Sequence, residues 1–74
     1  MRQKLIANGC GDDINIGRYR YHFYGAYLSL NEQFIEFEVA SYLPYIGSRI
    51  RYPKIYIKLP KKEGEKVLKN YYNV

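Results

Sequence analysis

Cys10, Asp12, Asp13 and His22 are the side chains whose types could support nucleophilic, metal-binding or acid–base chemistry. A thiol nucleophile needs a base to take its proton, and His22, the single histidine, is the one group that could serve. One histidine also leaves no two-histidine metal site and no histidine pair for proton relay within one chain. Asp12 and Asp13 are adjacent, so their carboxylates point apart, whereas a hard cation takes about six or more oxygens from a loop of defined spacing. A turn or capping role suits that pair better. The sequence therefore leads us to expect no catalytic residue, no metal and no cofactor, in a protein that is not an enzyme.

Binding chemistry is better represented. Residues 1–40 carry four basic side chains against five acidic ones, and residues 41–74 carry eight against two, so the net charge of +5 lies wholly in the second half. Between Glu38 and Glu63 there is no acid, and a surface built from that stretch projects a positive field. Arg49, Arg51, Lys54 and Lys58 are spaced along it with Tyr52 and Tyr56 between them as stacking candidates, and Lys61, Lys62, Lys66 and Lys69 follow. Cations at every second position of a strand share a face, where they can span several phosphates.

The stretch "RYRYHFY" adds Arg18 and Arg20 as phosphate contacts, with Tyr24 or Tyr27 as a stacking platform of the kind that holds single-stranded nucleic acid. The competing reading makes these arginines the solvated side of an ordinary amphipathic strand, answered by Glu36 and Glu38 across a hairpin. No ribonucleoprotein octapeptide or GXXG loop accompanies the basic residues.

The expected function is a small non-enzymatic module binding nucleic acid through its Lys/Arg stripe, provided the cations beyond Ser48 gather on one flank. The alternative is a protein–protein module or homodimer. Tyrosine and arginine are enriched at binding hot spots, and Tyr42, Tyr45, Tyr52, Tyr56, Tyr71 and Tyr72 exceed what a core this small can bury. The tyrosine, isoleucine and lysine bias and the short length resemble those of proteins encoded by viruses and mobile elements. That resemblance implies an inhibitor of a host nucleic-acid-processing complex as one form of the alternative, and assigns no residue a role.

The elements that must position these side chains belong to a single domain of 74 residues, near the size at which a core buries about 60% of the unfolded chain's surface. One cysteine rules out an internal disulfide, which gives weight to a partner subunit, and it fits a reducing compartment. No run approaches the roughly 18 apolar residues of a membrane helix, so a cytoplasmic protein without membrane partners is expected.

Alternation marks the strands. "QKLIA" reads as a first strand that passes at Asn8-Gly9 into a loop reaching Gly17, with Ile14 and Ile16 turned inward. Tyr19, Tyr21 and Phe23 form the inner face of the next strand. The inward parity then moves to Ala26, Leu28 and Leu30, which places a bulge at Gly25. Ile35, Phe37 and Val39 alternate with Glu36 and Glu38. Pairing Leu30 with Ile35 and Leu28 with Phe37 keeps the apolar sets together and leaves 31–34 as the turn.

"SYLPYIGS" reads as a crossing loop. Ile50 and Tyr52 before Pro53, and Ile55, Ile57 and Leu59 after it, suggest a strand at the rim of the sheet. Past Pro60, Val67, Leu68, Tyr71 and Tyr72 form a helical stripe, with Glu65 and Lys69 as an i,i+4 pair and Gly64 as a weak point. The expected fold is α+β, mainly β: a small antiparallel sheet or half-open barrel of about four to five strands with a carboxy-terminal helix.

Overall fold

The computed structural model describes residues 3–41 and 53–73. Four strands, β1 (Gln3–Ile16), β2 (Tyr19–Ser29), β3 (Phe34–Ser41) and β4 (Lys54–Pro60), form an open antiparallel sheet in the order β1-β2-β3-β4. Helix α1 (Lys61–Tyr72) follows β4 directly and packs on one face. Each strand pairs with its neighbour in sequence, so the alternation seen in the sequence maps directly onto the two faces of the sheet. The inner face and helix bury Ile14, Phe23, Ala26, Ile35, Phe37, Val39 and Leu68, with Tyr21, Leu28, Ile57, Leu59, Val67 and Tyr71 packed around them.

The expected loop from Asn8 to Gly17 is instead the second half of β1. Cys10 and Gly11 adopt positive φ values of 51° and 86°, which absorb extra residues between the Asn8↔Gly25 and Asp12↔Phe23 pairs. Glycine makes such a bulge cheap, so the turn chemistry of "NGCG" bends a strand without ending it. Ile14 and Ile16 are buried as expected. A second irregularity falls between Phe23 and Gly25, beside the expected bulge. It moves the inward parity from Phe23 to Ala26.

The β2–β3 register differs from the expected one by two residues: Leu28 faces Ile35 and Ala26 faces Phe37. A shift of two preserves every side chain's face, so hydrophobic alternation cannot detect it. The turn decides. Ser29 Oγ accepts from the Gln33 and Phe34 amides, Glu32 N donates to Ser29 O, and Glu32 takes φ 58°, closing the loop over 30–33. Leu30 is thereby placed at the tip and is exposed. Tyr19, also expected inside, is exposed at the far end of β2. A 12-residue helix is about 18 Å long, against about 36 Å for an 11-residue strand, and cannot cover both ends.

Strand β4 lies at the edge, as the flanking prolines suggest. The expected crossing loop begins at Ser41, which instead ends β3, and the rest of it, with Arg49, Ile50, Arg51 and Tyr52, lies outside the described residues. Helix α1 forms as expected, burying Leu68 and packing Val67 and Tyr71, while Tyr72 is exposed.

Gly64 has a role its helix propensity does not suggest. A Cβ there would stand 2.7 Å from Ile35 Cβ and 2.9 Å from Ile35 Cδ1, so the missing side chain is what lets the helix lie close to β3. In an exposed helix Gly→Ala gains about 1 kcal/mol. Here overpacking of about 1–3 kcal/mol opposes it. Gly64→Ala is therefore expected to lower the melting temperature by several degrees, and a thermal melt showing a rise would refute the close approach.

Candidate interaction face

The sheet face opposite the helix carries most of the expected binding residues. Across β2, β3 and β4 the register sets out the rows His22–Ala40–Lys54, Gly25–Glu38–Tyr56 and Tyr27–Glu36–Lys58. β1 extends them with Asp13, Asn8 and Leu5 respectively. Tyr24, in the bulge, lies beneath Lys54 Nζ at 5.2 Å from its ring centroid. Gly25 is buried beneath the Tyr27 ring and Leu5, each within 3.4 Å of where a Cβ would stand.

Glu38 is the hub of this face. Its carboxylate accepts the Tyr27 hydroxyl at 3.2 Å and the Tyr56 hydroxyl at 3.1 Å, and pairs with Lys54 Nζ at 3.5 Å. Burial first, then the charge and hydrogen bond of Glu38, raise the Tyr27 pKa; the Glu38 hydrogen bond is the leading cause for Tyr56. Both hydroxyls stay protonated and fixed. Glu36 accepts from Gln3 Nε2 at 2.7 Å and stands opposite Lys58, whose Nζ sits 4.7 Å from the Phe34 ring centroid.

The expected single cationic flank is corrected by this arrangement. Lys54 and Lys58 are on the outer sheet face, where Lys54 pairs with Glu38 and Lys58 stands across the ladder from Glu36. Arg20 reaches Asp13 at 4.0 Å, and Lys61, at the junction with the helix, pairs with Glu32 at 3.5 Å. Arg18 is exposed at the β1–β2 turn, and Arg49, Arg51 and Tyr52 lie outside the described residues. Lys62, Lys66 and Lys69 line a sector of about 60° on the helix, away from its packed stripe, with Lys66 4.0 Å from Glu63. The described cations thus divide between opposite sides of the molecule, and acids from Asp13 through Glu38 stand near those on the sheet. Glu38 as an organising group escaped sequence reading, because its partners on β2 and β4 are fixed only once both registers are known.

Asp12 also has a tertiary role. Its Oδ2 accepts the Tyr71 hydroxyl at 2.8 Å, tying the end of the helix to the bulged strand beside an open cleft lined by Asp12, Asp13, Tyr71 and Tyr72. That hydrogen bond, then burial, push the Tyr71 pKa up to about 12. A raised folded-state pKa gives stability that is fully present below the unfolded value of 10.0 and is lost as pH rises through about 12. Tyr71→Phe should therefore be less stable than wild type at neutral pH, with the difference vanishing across that alkaline window. Denaturant melts at several pH values test this, and a pH-independent difference would exclude the Asp12 contact as its source.

Cys10 is exposed, and its thiol lies 3.4 Å from Asn8 Oδ1. Among the described residues no three His, Cys, Asp or Glu side chains gather as a metal site, and no helix is long and apolar enough to cross a membrane. No protein-family model matches the chain, and no curated protein or solved structure matches it significantly.

Proposed function

We propose that the protein is a non-enzymatic binding module whose ligand is another protein, docked on the outer face of the sheet. The observation that supports this reading is the internal charge balance of that face: Arg20, Lys54 and Lys58 stand with Asp13, Glu36 and Glu38 around Tyr24, Tyr27, Tyr56 and Leu5. A polyanion would have to displace those acids and would meet their repulsion. A protein surface gains from the aromatic rings and can exchange the ion pairs. A host nucleic-acid-processing complex is one partner of this class.

The test is capture by the immobilised full chain from nuclease-treated extract of its native cell. A partner should be retained by wild type and by Lys62→Gln/Lys66→Gln/Lys69→Gln. Leu5→Ser/Tyr56→Ser should reduce retention by about 30-fold, the loss of one hot spot worth about 2 kcal/mol. Retention that survives the sheet substitutions, or disappears on nuclease treatment, would count against the reading.

A second reading, nucleic-acid binding, draws on Lys62, Lys66 and Lys69, which share one exposed helix stripe. Three lysines limit their contribution on single strands to a log–log salt slope of about −2. Titration of a labelled oligonucleotide at two ionic strengths should show that slope, and triple Gln substitution should flatten it. No binding at low salt would remove this reading.

A further inference from the structure

We infer that the outer sheet face docks a second copy of this chain, face to face, about a two-fold axis parallel to the strands. This inference rests on the protein-docking reading above and names the partner. The net charge of +5 opposes self-association through most surfaces. The outer face is the exception, since among the described residues its three cations and three acids balance.

The registers show which two-fold the charges permit. An axis along the strands lays each row against its own reverse. The row Asp13–His22–Ala40–Lys54 then sets Asp13 against Lys54 of the second copy at both ends. The row Leu5–Tyr27–Glu36–Lys58 sets Tyr27 against Glu36 and the Lys58 stem against Leu5. The row Asn8–Gly25–Glu38–Tyr56 sets Tyr56 against Asn8 and Glu38 against the Tyr27 and Leu5 side chains that cover Gly25. No like charges meet in any of the three rows.

The alternative axis, across the strands, puts β4 against itself. Centred on Tyr56, it sets Lys54 opposite Lys58 in both directions and is disfavoured. Aligned packing of two sheets accommodates the first arrangement with a rotation of about 30° from twist.

Size sets the expected strength. Four strands at about 4.8 Å spacing and roughly 25 Å of paired length give a face near 500 Å² in plan. Two such faces give about 1,000 Å² in total, at the threshold for a specific interface and below the standard range of about 1,200–2,000 Å². A dissociation constant in the micromolar range follows from an interface that small and part-polar.

Sedimentation equilibrium on the full chain, from low micromolar to millimolar, tests the proposal with two charge reversals at exposed positions. Wild type should dimerise. Lys54→Glu alone and Asp13→Lys alone should each weaken the dimer at least tenfold, because each places like charges together at both ends of one row. An equimolar mixture of the two variants should recover a dimer, since every such contact in the mixed pair is then between opposite charges. Circular dichroism confirms that both variants remain folded.

A wild-type chain that stays monomeric at millimolar concentration overturns the proposal. Strengthening by Lys54→Glu would assign the other axis and overturn it too, as would a dimer lost with Tyr72→Ser but indifferent to both reversals. If the chain is monomeric while Leu5→Ser/Tyr56→Ser still abolishes capture of another protein, the dimer fails and the docking reading stands.

Discussion

Phe23→Ala should cost about 3–5 kcal/mol, the range for truncating a fully buried aromatic. Phe23 has no exposed surface, and its ring stands 6.1 Å from that of Phe37 and 4.9 Å from that of Tyr71, edge to face. Tyr71 in turn anchors the helix to Asp12, so removing the ring also takes away the platform beneath that hydrogen bond. A chain of 74 residues has a total stability of about 4–11 kcal/mol at 0.05–0.15 kcal/mol per residue. At the lower end the variant is unfolded at room temperature. Urea denaturation followed by far-ultraviolet circular dichroism measures the loss, and one below about 1 kcal/mol would mean the helix does not close on this ring.

Gly9→Ala should be nearly as damaging, at about 3 kcal/mol, the upper end of ordinary overpacking. A Cβ at position 9 would stand 2.4 Å from both the Phe23 carbonyl oxygen and Phe23 Cδ2. A ring can rotate away, but the carbonyl belongs to β2 and can move only by shifting the strand. Gly11→Ala is the control, because nothing lies within 4 Å of its Cβ and only its φ of +86° resists the side chain, at about 1–2 kcal/mol. In a Phe23→Ala background the ring contact is gone and the carbonyl contact remains. Gly9→Ala should then still cost more than Gly11→Ala, and equal costs in that background would show that the backbone approach is absent.

Both positions belong to the stretch that alternation reads least well. "NGCGDD" has the composition of a loop, and the physical content of that reading, a need for positive φ, is correct at Cys10 and Gly11. The chain nevertheless returns to the ladder, because β2 continues alongside it and pairs with Asp12 through Ile16. Continuation of a strand past a bulge depends on the neighbour across the ladder, and no local pattern contains that neighbour. Gly64 is a similar case. Propensity marks it as a weak point, and packing against Ile35 makes it a requirement.

The candidate face was half legible. Strict alternation places Glu36 and Glu38 together on the polar side of β3, and the spacing of Lys54, Tyr56 and Lys58 places them together on β4. Summing charge along the chain, however, treats the acid-free stretch after Glu38 as an unopposed cationic surface. Antiparallel pairing of β3 with β4 brings acids from before that boundary against bases from after it. Net charge by segment is thus a poor guide wherever adjacent strands carry opposite signs.

The sequence by itself determined the class of fold, the inward set Ile14, Ile16, Phe23, Ala26, Ile35, Phe37 and Val39, the bulge beside Gly25 and the terminal helix. Each follows from a period or a glycine read within a few residues, where local sterics and burial suffice. Tertiary structure alone decided the β2–β3 register, the continuation of β1, the closeness of α1 to β3 and the neutralisation of Lys54 by Glu38. A two-residue slip leaves every side chain on the same face, and an ion pair across a sheet depends on which residues stand opposite. Those distances are set only when the whole sheet has formed.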